Sequence, residues 1–335
     1  MALETRVHAA SLAAFGARNP EALVLSADLT SSTEADAFRD AFPDRFIGTG
    51  MAEQNMMSVA GGLAREGFLP MMHTFAVFMY RRALDQLEMS IAYPNLPVFI
   101  VGFLPGITTP GGVSHQAIND VNVMRGIPNM HILECGDATE VESVLDVAKA
   151  LKAPVYLRMI RGSIPRLFDT PFVFNTARVL SEGDDLLILS SGISTETTIN
   201  ALETLKSAGV SATHLHISTL KPFTDPIVVE QLKRAKHIIT VENHSVIGGL
   251  GTAVSELMAE HGVSAKLNKL GMQDTYASGA SKEFLMREYG LDEHAILNTV
   301  QRVLGISLDQ NELDAAAVIE STNTIDRQET PDEAL

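Results

Sequence analysis

Strand-length apolar runs alternate with segments of helical spacing along almost the whole chain. Residues 98–102 form a continuous apolar run of the kind that is buried on both faces of a parallel sheet. Further runs at 22–28, 69–74, 131–134 and 154–159 are separated by segments whose apolar residues recur every three or four positions. This alternation predicts an α/β fold built on a doubly wound parallel sheet.

The alternation is interrupted once, by a segment with several prolines and glycines at 161–178, and it resumes at 185–190. A chain of 335 residues also exceeds what one ordinary core can hold. Eight acids stand against one arginine between residues 309 and 335, a composition typical of disorder. We therefore predict two open doubly wound domains at 1–162 and 179–306, a linker at 163–178, and an acidic, disordered tail at 307–335.

The composition argues against a nucleic-acid-binding, a membrane-spanning and a disulfide-bonded protein. The net charge is −16, and phosphate binding needs clustered lysine and arginine, so we do not expect a nucleic-acid partner. No apolar run is long enough to span a membrane, and the first residues lack the pattern of a signal peptide. The lone cysteine, Cys135, excludes an internal disulfide and a multi-cysteine metal site, and the acids beside it argue against a nucleophilic thiol. We expect a globular, cytoplasmic protein.

The segment 44–62 is the most informative part of the chain. It predicts a short strand at 45–47, a glycine turn at 48–50, and a helix with no charge between Glu53 and Arg65, which should therefore be buried. Glu53 in the first turn could simply stabilise the positive end of the helix dipole. An acid at the mouth of a buried helix, beside a glycine turn, is also a candidate for proton chemistry. The pattern alone leaves both interpretations open.

Five other side chains could belong to a site. Phe75 and Phe78, three positions apart after a strand, could form an aromatic wall or simply pack in the core. His115 lies in a glycine-rich loop, where it could act in acid/base chemistry, bind a hydroxyl or be a solvated surface residue. Arg158 and Arg161 could bind an anion or pair with the acids of the tail.

The glycines at 248–251 open a helix, where a phosphate could bind. No lysine or acid stands at the spacing that a nucleotide site needs, so we interpret these glycines as tight packing.

Five short motifs, taken together in this order and spacing, resemble the transketolase family. They are Gly-Met-Ala-Glu-Gln-Asn at 50–55, Thr-Phe-Ala-Val-Phe at 74–78, Arg-Ala-Leu-Asp-Gln at 82–86, Ser-His-Gln at 114–116 and Glu-Asn-His-Ser-Val-Ile-Gly-Gly-Leu-Gly at 242–251. The resemblance covers residues 5–305 and corresponds to the C-terminal half of a transketolase. It implies a pyrimidine-binding domain followed by the transketolase C-terminal domain.

One family motif is absent. Transketolases hold Mg²⁺ and the diphosphate of their cofactor with a Gly-Asp-Gly motif and a later asparagine, and this chain has no Gly-Asp-Gly. The resemblance therefore implies a split, two-subunit transketolase that uses thiamine diphosphate and Mg²⁺. A separate N-terminal-half subunit would supply the diphosphate and metal site, most naturally in an α₂β₂ assembly, and this chain would contribute no metal ligand.

The resemblance also implies roles for individual residues. Glu53 would be catalytic, as the hydrogen-bond partner of N1′ of the cofactor's aminopyrimidine, and His115 would be catalytic and contact substrate hydroxyls. Ser114 and Arg161 would bind the substrate, with Arg161 on the sugar phosphate. The other residues assigned to cofactor binding are Met51, Gln54, Phe75, Phe78 and Arg82.

Two departures from the family pattern bear on the substrate. Gly111 stands where the family usually has an aspartate four residues before the histidine. Phe103, Leu104 and Pro105 replace a polar stretch at the start of the loop, which we expect to leave an apolar wall in place of a phosphate contact. We therefore expect an unusual sugar as donor or acceptor, one that is less phosphorylated or modified. A full-rate reaction of xylulose 5-phosphate with ribose 5-phosphate would contradict this expectation.

Three other functions share some of these sequence features. The β subunit of a 2-oxo acid dehydrogenase shares the layout and the acid, but the loop around His115 and the spacing at 74–78 favour transketolase. A 1-deoxyxylulose 5-phosphate synthase carries its own diphosphate domain in a single chain. A non-catalytic scaffold has no need to keep Glu53 in a buried site. The neighbouring gene discriminates, because a lipoyl acyltransferase there would indicate the dehydrogenase.

Overall fold

Two largely parallel sheets form the core of the protein in a computed structural model that describes residues 3–308. The first sheet has seven strands and the second has five, and a two-stranded pair stands apart from both. This arrangement confirms the α/β fold with open, doubly wound sheets. Residues 309–335, nearly all of the tail predicted at 307–335, lie outside the described residues. None of the helices in the described part is both long enough and apolar enough to cross a membrane.

The first half of the chain contains eight strands and seven helices. Their bounds are β1 (Leu3–Glu4), α1 (Val7–Arg18), β2 (Ala22–Ser26), α2 (Asp36–Ala41), β3 (Phe46–Gly48), α3 (Glu53–Arg65), β4 (Leu69–Phe75), α4 (Ala76–Arg81), α5 (Leu84–Gln86), β5 (Phe99–Phe103), α6 (Asp120–Gly126), β6 (His131–Glu134), α7 (Ala138–Leu151), β7 (Val155–Met159) and β8 (Ile164–Pro165). A π-helical turn, Leu87–Ala92, continues α5, and 3-10 turns lie at Pro43–Arg45 and Gly112–Ser114.

The second half of the described chain contains six strands and five helices. Their bounds are β9 (Arg178–Ser181), β10 (Leu186–Ser190), α8 (Ser194–Ser207), β11 (Ala212–His216), β12 (Thr219–Lys221), α9 (Pro226–Arg234), β13 (His237–Ser245), α10 (Leu250–Glu260), β14 (Lys266–Met272), α11 (Lys282–Glu288) and α12 (Glu293–Leu304).

The strand order of the first sheet determines where a ligand can bind. The order is β12-β6-β7-β5-β4-β2-β3, and the strands from β6 to β3 are parallel. The chain passes from β2 to β3 on one side and then crosses back to β4 on the other side of β2. In an open α/β sheet, ligands bind outside the carboxyl ends of the strands at such a reversal. The carboxyl ends of β2, β3 and β4 are therefore the expected site.

The two halves of the chain share a sheet. Strand β12 follows β11 of the second sheet, order β14-β13-β10-β11-β9, yet it pairs antiparallel with β6 at the edge of the first sheet. The apolar periodicity did not predict β12, because a three-residue edge strand has no periodic signal of its own. Helices α4 and α11 were not predicted either, and β8 lies within the segment interpreted as a linker.

Helix α3 is only half buried, so the expectation that it is enclosed on all sides is wrong. Met56, Met57 and Ala60 face the core, whereas Gln54, Asn55, Ser58 and Gly62 are exposed. On the buried side, a Cβ on Gly61 would lie 2.5 Å from the carbonyl oxygen of Ser90 in the π-helical turn. The glycine at position 61 thus reflects close helix packing on this face. The other face is a neutral polar surface.

Arg158 is part of a buried ionic network and does not bind an external anion. Its side chain is 1% exposed, and its Nε donates to Asp120 Oδ2 at 2.7 Å. Nη1 pairs with Glu134, and Nη2 donates to the backbone carbonyl of Asn243 at 3.1 Å. Burial alone would raise the pKa of Asp120, but the Arg158 guanidinium, together with His244 and the Tyr156 hydroxyl, outweighs it and lowers that pKa. Arg158 thus joins α6 and β6 to β13 of the second sheet.

The glycines at 248–251 serve packing, as predicted. The Glu242 carboxylate accepts hydrogen bonds from the amides of Leu250, at 2.6 Å, and Gly251, at 2.8 Å, at the start of α10. A Cβ on Gly249 would lie 2.0 Å from Glu242 Oε2. The protein's own Glu242 carboxyl group therefore occupies this helix N-terminus, where an external phosphate would have to bind. Burial nevertheless raises the pKa of Glu242 to about 8.

We predict that Arg158→Met lowers the free energy of unfolding by about 3–5 kcal/mol, because Asp120 and Glu134 are left as uncompensated buried charges. Denaturant unfolding followed by circular dichroism measures the change. Arg234→Met is the control, since Arg234 is 65% exposed and 3.8 Å from Glu230, and a change within about 0.5 kcal/mol is expected. Equal effects of the two substitutions would contradict the structural role of Arg158.

Candidate functional site

A cavity of about 210 Å³ lies at the carboxyl ends of β2, β3 and β4, where the strand order reverses. It contains six of the residues expected from the sequence together with three that follow β2. The lining residues are Met51, Glu53, Phe78, Arg82, Ser114 and His115, with Ala27, Asp28 and Leu29.

Glu53 is the buried acid of this cavity. It is the first residue of α3 and is 4% exposed, and the amino end of a helix favours its negative charge. Arg82 Nη1 donates to Glu53 Oε1 at 2.6 Å. Within residues 3–308 the other carboxylate oxygen, Oε2, has no hydrogen-bond partner. Glu53 Oε2 is therefore available as a hydrogen-bond acceptor, and its position is fixed because Oε1 of the same carboxylate is bound to Arg82.

Arg82 is held by an aromatic ring as well as by the acid. Its guanidinium carbon lies 3.9 Å from the centroid of the Phe78 ring, close enough for a cation–π contact. Phe78 in turn stacks on Phe75, with centroids 6.1 Å apart and an interplanar angle of 22°. Phe75 is buried behind Phe78 and is not one of the lining residues. The Phe pair is thus a two-layer aromatic wall with only its outer ring at the cavity.

His115 faces the aromatic wall from the opposite loop. Its ring meets Phe78 edge-on at 5.5 Å and Phe75 at 6.2 Å between centroids. Ser114 Oγ lies 2.9 Å from His115 Nδ1, which leaves Nε2 as the nitrogen available to a ligand. Arg81 fixes the loop, because it donates to the carbonyls of Val113 and Gln116. The site therefore pairs an acid on α3 with an imidazole on a tethered loop.

Gly111 has a steric role that the sequence pattern did not predict. A Cβ at this position would lie 2.8 Å from His115 Cγ and 2.9 Å from His115 Cβ. Carbon atoms cannot approach this closely without moving either the loop backbone or the His115 side chain. The glycine therefore lets His115 lie against the backbone of the loop. An aspartate at position 111 would therefore require a different position of His115.

Phe103 does not line the cavity, so the expected apolar wall is not formed by this residue. It is fully buried and packs edge-on against His8, with centroids 5.2 Å apart, and beside His73 at 6.4 Å. His8 and His73 are in contact through their Nε2 atoms at 3.0 Å. Burial lowers the pKa of both, to about 4 for His73, so the imidazoles are uncharged at neutral pH. This cluster is part of the core.

Two further residues expected at the site lie away from the cavity lining. Gln54 is exposed on the polar face of α3. Arg161 Nη1 donates to the carbonyl of Ser32 at 3.1 Å, in the same connection after β2 that contributes Asp28 and Leu29 to the cavity. A role of Arg161 in binding an anionic group of the substrate stays a prediction.

Asp28 is the acid that ends the apolar run predicted as a strand at 22–28. In the structure it lines the cavity and has a φ of 79°. A residue other than glycine rarely adopts this left-handed conformation, and such residues cluster at functional sites. An acid at the carboxyl end of a buried parallel strand was the signal that could have identified it.

Two further observations concern reactive groups. Burial, reinforced by Glu140, Asp137 and Glu134, raises the pKa of Cys135 well above its usual range, which agrees with the expectation that this thiol is not a nucleophile. Among residues 3–308, no group of three or more His, Cys, Asp or Glu side chains is arranged to hold a metal ion.

The coupling between Arg82 and Glu53 can be measured. Arg82→Met leaves a buried carboxylate without its cation, and we predict a loss of about 1–2 kcal/mol in the free energy of unfolding. In the double variant Arg82→Met, Glu53→Gln the charge is removed too, so most of this loss should be recovered. A double-mutant cycle by denaturant unfolding gives the interaction energy. Strictly additive effects would contradict the proposed pairing.

Comparison with known proteins identifies the family. Residues 5–166 match the family described as "Transketolase, pyrimidine binding domain", and residues 175–296 match "Transketolase, C-terminal domain". The chain is 35% identical to a putative transketolase C-terminal section of Methanocaldococcus jannaschii, over 87% of this chain and 92% of the relative. It is 34% identical to the 6-deoxy-6-sulfo-D-fructose transketolase subunit SqwH of a Clostridium species, over 86% of this chain and 90% of that subunit.

A solved structure agrees with these relatives. It is described as a split gene transketolase, inactive β4 tetramer, and it superimposes with a TM-score of 0.80 at 36% identity, covering 90% of this chain and 98% of the solved one. Both domain matches, the two relatives and the site at the switch point of the first sheet lead to the same conclusion: this chain belongs to the transketolase family, as a counterpart of its separately encoded C-terminal sections.

Proposed function

We propose that this chain is the C-terminal subunit of a two-subunit, thiamine diphosphate-dependent transketolase, which transfers a two-carbon ketol unit between sugars. The observation that carries the proposal is the carboxylate of Glu53, which is 4% exposed, tied through Oε1 to Arg82, and left with a free Oε2 at a cavity. Thiamine diphosphate, when bound, supplies the carbanion chemistry of the transfer.

The donor set fits the aminopyrimidine end of that cofactor. Glu53 Oε2 would accept a hydrogen bond from N1′, and Phe78, backed by Phe75, offers a flat apolar surface to the ring. The cavity of about 210 Å³ is smaller than the roughly 300–1,000 Å³ of sites that enclose a drug-sized ligand. Its size supports the idea that this chain provides only part of the cofactor site.

Each side chain has a defined task in this proposal. Arg82 fixes Oε1, so that the remaining oxygen of Glu53 keeps one direction toward the pyrimidine and the site holds a proton at N1′. Met51 shields the entrance from water, and its side chain is 78% exposed in the isolated chain. His115 and Ser114 bind substrate hydroxyls, since the imidazole can donate or accept a hydrogen bond through Nε2.

The partner is an N-terminal-half subunit that carries the diphosphate and Mg²⁺ site. Three observations support it: the missing Gly-Asp-Gly motif, a cavity whose lining arginine, Arg82, is already paired with Glu53, and the exposed neutral face of α3 beside Glu53. The names of the relatives, a C-terminal section and a transketolase subunit, agree with it. An α₂β₂ assembly is the form that we propose.

The substrate class follows from the same comparison. The relative SqwH is named for a sulfonated sugar, and Gly111 replaces a polar residue of the usual family motif. We therefore include a sugar with a modified terminal group in the proposal. Assays should contain such a sugar together with the ordinary pentose phosphates.

We predict that Glu53→Gln lowers kcat of the assembled enzyme by at least about 10²-fold, because the glutamine amide cannot take part in the proton transfer through N1′. The assay is ketol transfer by this chain co-purified with its partner, in the presence of thiamine diphosphate and Mg²⁺. Glu66→Gln is the matched control, since Glu66 is exposed just after α3, and its activity should equal that of the wild type.

Wild-type activity of Glu53→Gln in the intact complex would overturn the assignment of this acid. Oxidative decarboxylation of a 2-oxo acid by the same complex, without ketol transfer, would instead favour the dehydrogenase interpretation. Co-purification of a chain lacking any diphosphate motif would contradict the proposed partner.

A further inference from the structure

The loop that carries His115 is held between two parts of the chain that are far apart in sequence. On one side Arg81, at the end of α4, donates to the carbonyls of Val113 and Gln116. On the other side lies the loop at 273–281, which joins β14 to α11 in the second half of the chain. The sequence predicted no site residue in this second loop, yet it touches the loop of the candidate site.

Gln116, the residue after His115, makes this contact. It is 1% exposed, and its Nε2 donates to the carbonyl of Ser278 at 3.1 Å and, more weakly, to that of Thr109 at 3.4 Å. Its backbone N–H donates to the carbonyl of Gly112 at 3.1 Å, as the His115 N–H does at 2.9 Å. A single side chain therefore connects the turn that presents His115 to the second half of the chain.

Two glycines bring the two loops into direct backbone contact. A Cβ on Gly279 would lie 2.9 Å from the carbonyl oxygen of Pro110, closer than side-chain carbons approach a backbone oxygen in proteins. A Cβ on Gly112, whose φ is 67°, would lie 3.4 Å from the backbone nitrogen of Gly279. A side chain at position 279 would therefore push against the loop that carries His115.

The loop at 273–281 is anchored by contacts of its own. Ala277 is 1% exposed and belongs to the same buried apolar cluster as Leu285 of α11. The backbone N–H of Ser278 donates to the hydroxyl of Tyr289, which follows α11, at 3.0 Å. The carbonyl that accepts the glutamine bond is therefore held in place by the second half of the chain and does not depend on the candidate site.

We propose that Gln116 is a positioning residue, through which the second half of the chain sets the position of His115 in the site. The proposal rests on the proposed function only in assigning His115 to the substrate. An imidazole that has to meet a substrate hydroxyl must be held to a fraction of an ångström. All lining residues of the cavity belong to the first half of the chain, so the second half contributes to the site through this support alone.

The position of His115 can be measured in this chain alone by histidine NMR. Its ring lies 5.5 Å from that of Phe78 and 6.2 Å from that of Phe75, centroid to centroid, so ring currents make its signal sensitive to small displacements. In a sample with ¹³C-labelled histidine, the spectrum of His115→Gln identifies which of the ten histidine signals belongs to His115. Gln116→Met and Gly279→Ala should each move this signal.

The two substitutions act from opposite sides of the contact, so the test stays valid if one variant does not fold. Gln116→Met removes the donor and keeps the length of the side chain, whereas Gly279→Ala adds one carbon on the other loop. Gln273→Met is the matched control, because Gln273 is exposed and its Nε2 donates to the nearby carbonyl of Gly271. It should leave the His115 signal in place. A thermal unfolding midpoint near that of the wild type shows that a variant is folded.

Kinetics of the complex with the partner subunit separate positioning from general stability. Gln116→Met should lower kcat/KM for the sugar by at least about tenfold. Titration of thiamine diphosphate should be unchanged, since Glu53 and Phe78 lie outside this contact. In a His115→Ala background the same substitution should cost less than about twofold, because its effect passes through the missing imidazole. Gln273→Met should keep the wild-type kcat/KM.

Two results would overturn the proposal. One is a His115 signal that stays in place in the folded Gln116→Met and Gly279→Ala variants. The other is an equal loss of kcat/KM on Gln116→Met with and without the His115 imidazole. A displaced signal together with a complex that shows no ketol transfer would support the positioning role and contradict the proposed function instead, so the two failures are distinguishable.

Discussion

The buried guanidinium of Arg158 is the interaction on which the relative position of the two sheets depends. It is 1% exposed, it bonds to Asp120 and Glu134 of the first half of the chain, and it donates to the carbonyl of Asn243 in the second. The Asn243 side chain returns to the first half, where it bonds to the amide of Ile107 and the carbonyl of Pro105. These bonds fix the beginning of the loop that carries His115.

In the candidate site, as in the Arg158 network, an ion pair fixes the position of a buried charged group. One acid, Glu53, has one fixed oxygen and one free oxygen, and the cation that fixes it, Arg82, lies on the aromatic ring that faces the cavity. This arrangement positions a carboxylate without closing the site. The exposed face of α3 and the small cavity volume are consistent with a surface that is completed by another polypeptide. An open half-site therefore explains both the buried acid and the neutral helix face next to it.

Most of the fold and part of the site could be predicted from the sequence. Buried parallel strands such as β5 are continuous apolar runs, which periodicity located. Glu53, Phe78 and His115 were assigned to the site by the resemblance of their short motifs to the transketolase family, and all three line the cavity. Other features depend on contacts between distant residues and leave no local signal. The pairing of β12 with β6, the burial of Arg158 among acids and the packing of Phe103 against His8 are of this kind. Asp28 was visible as a strand end, but its φ of 79° was not.

The central claim is that the cofactor site is shared between two polypeptides. Isothermal titration of thiamine diphosphate with Mg²⁺ into this chain alone, and into its purified complex with the N-terminal-half subunit, tests it most directly. We predict binding at least about 100-fold tighter in the complex, a difference of about 2.7 kcal/mol, because in our proposal this chain provides the pyrimidine contacts and the partner holds the diphosphate and Mg²⁺, and residues 3–308 contain no cluster arranged to hold a metal ion. Equally tight binding by this chain alone would contradict it.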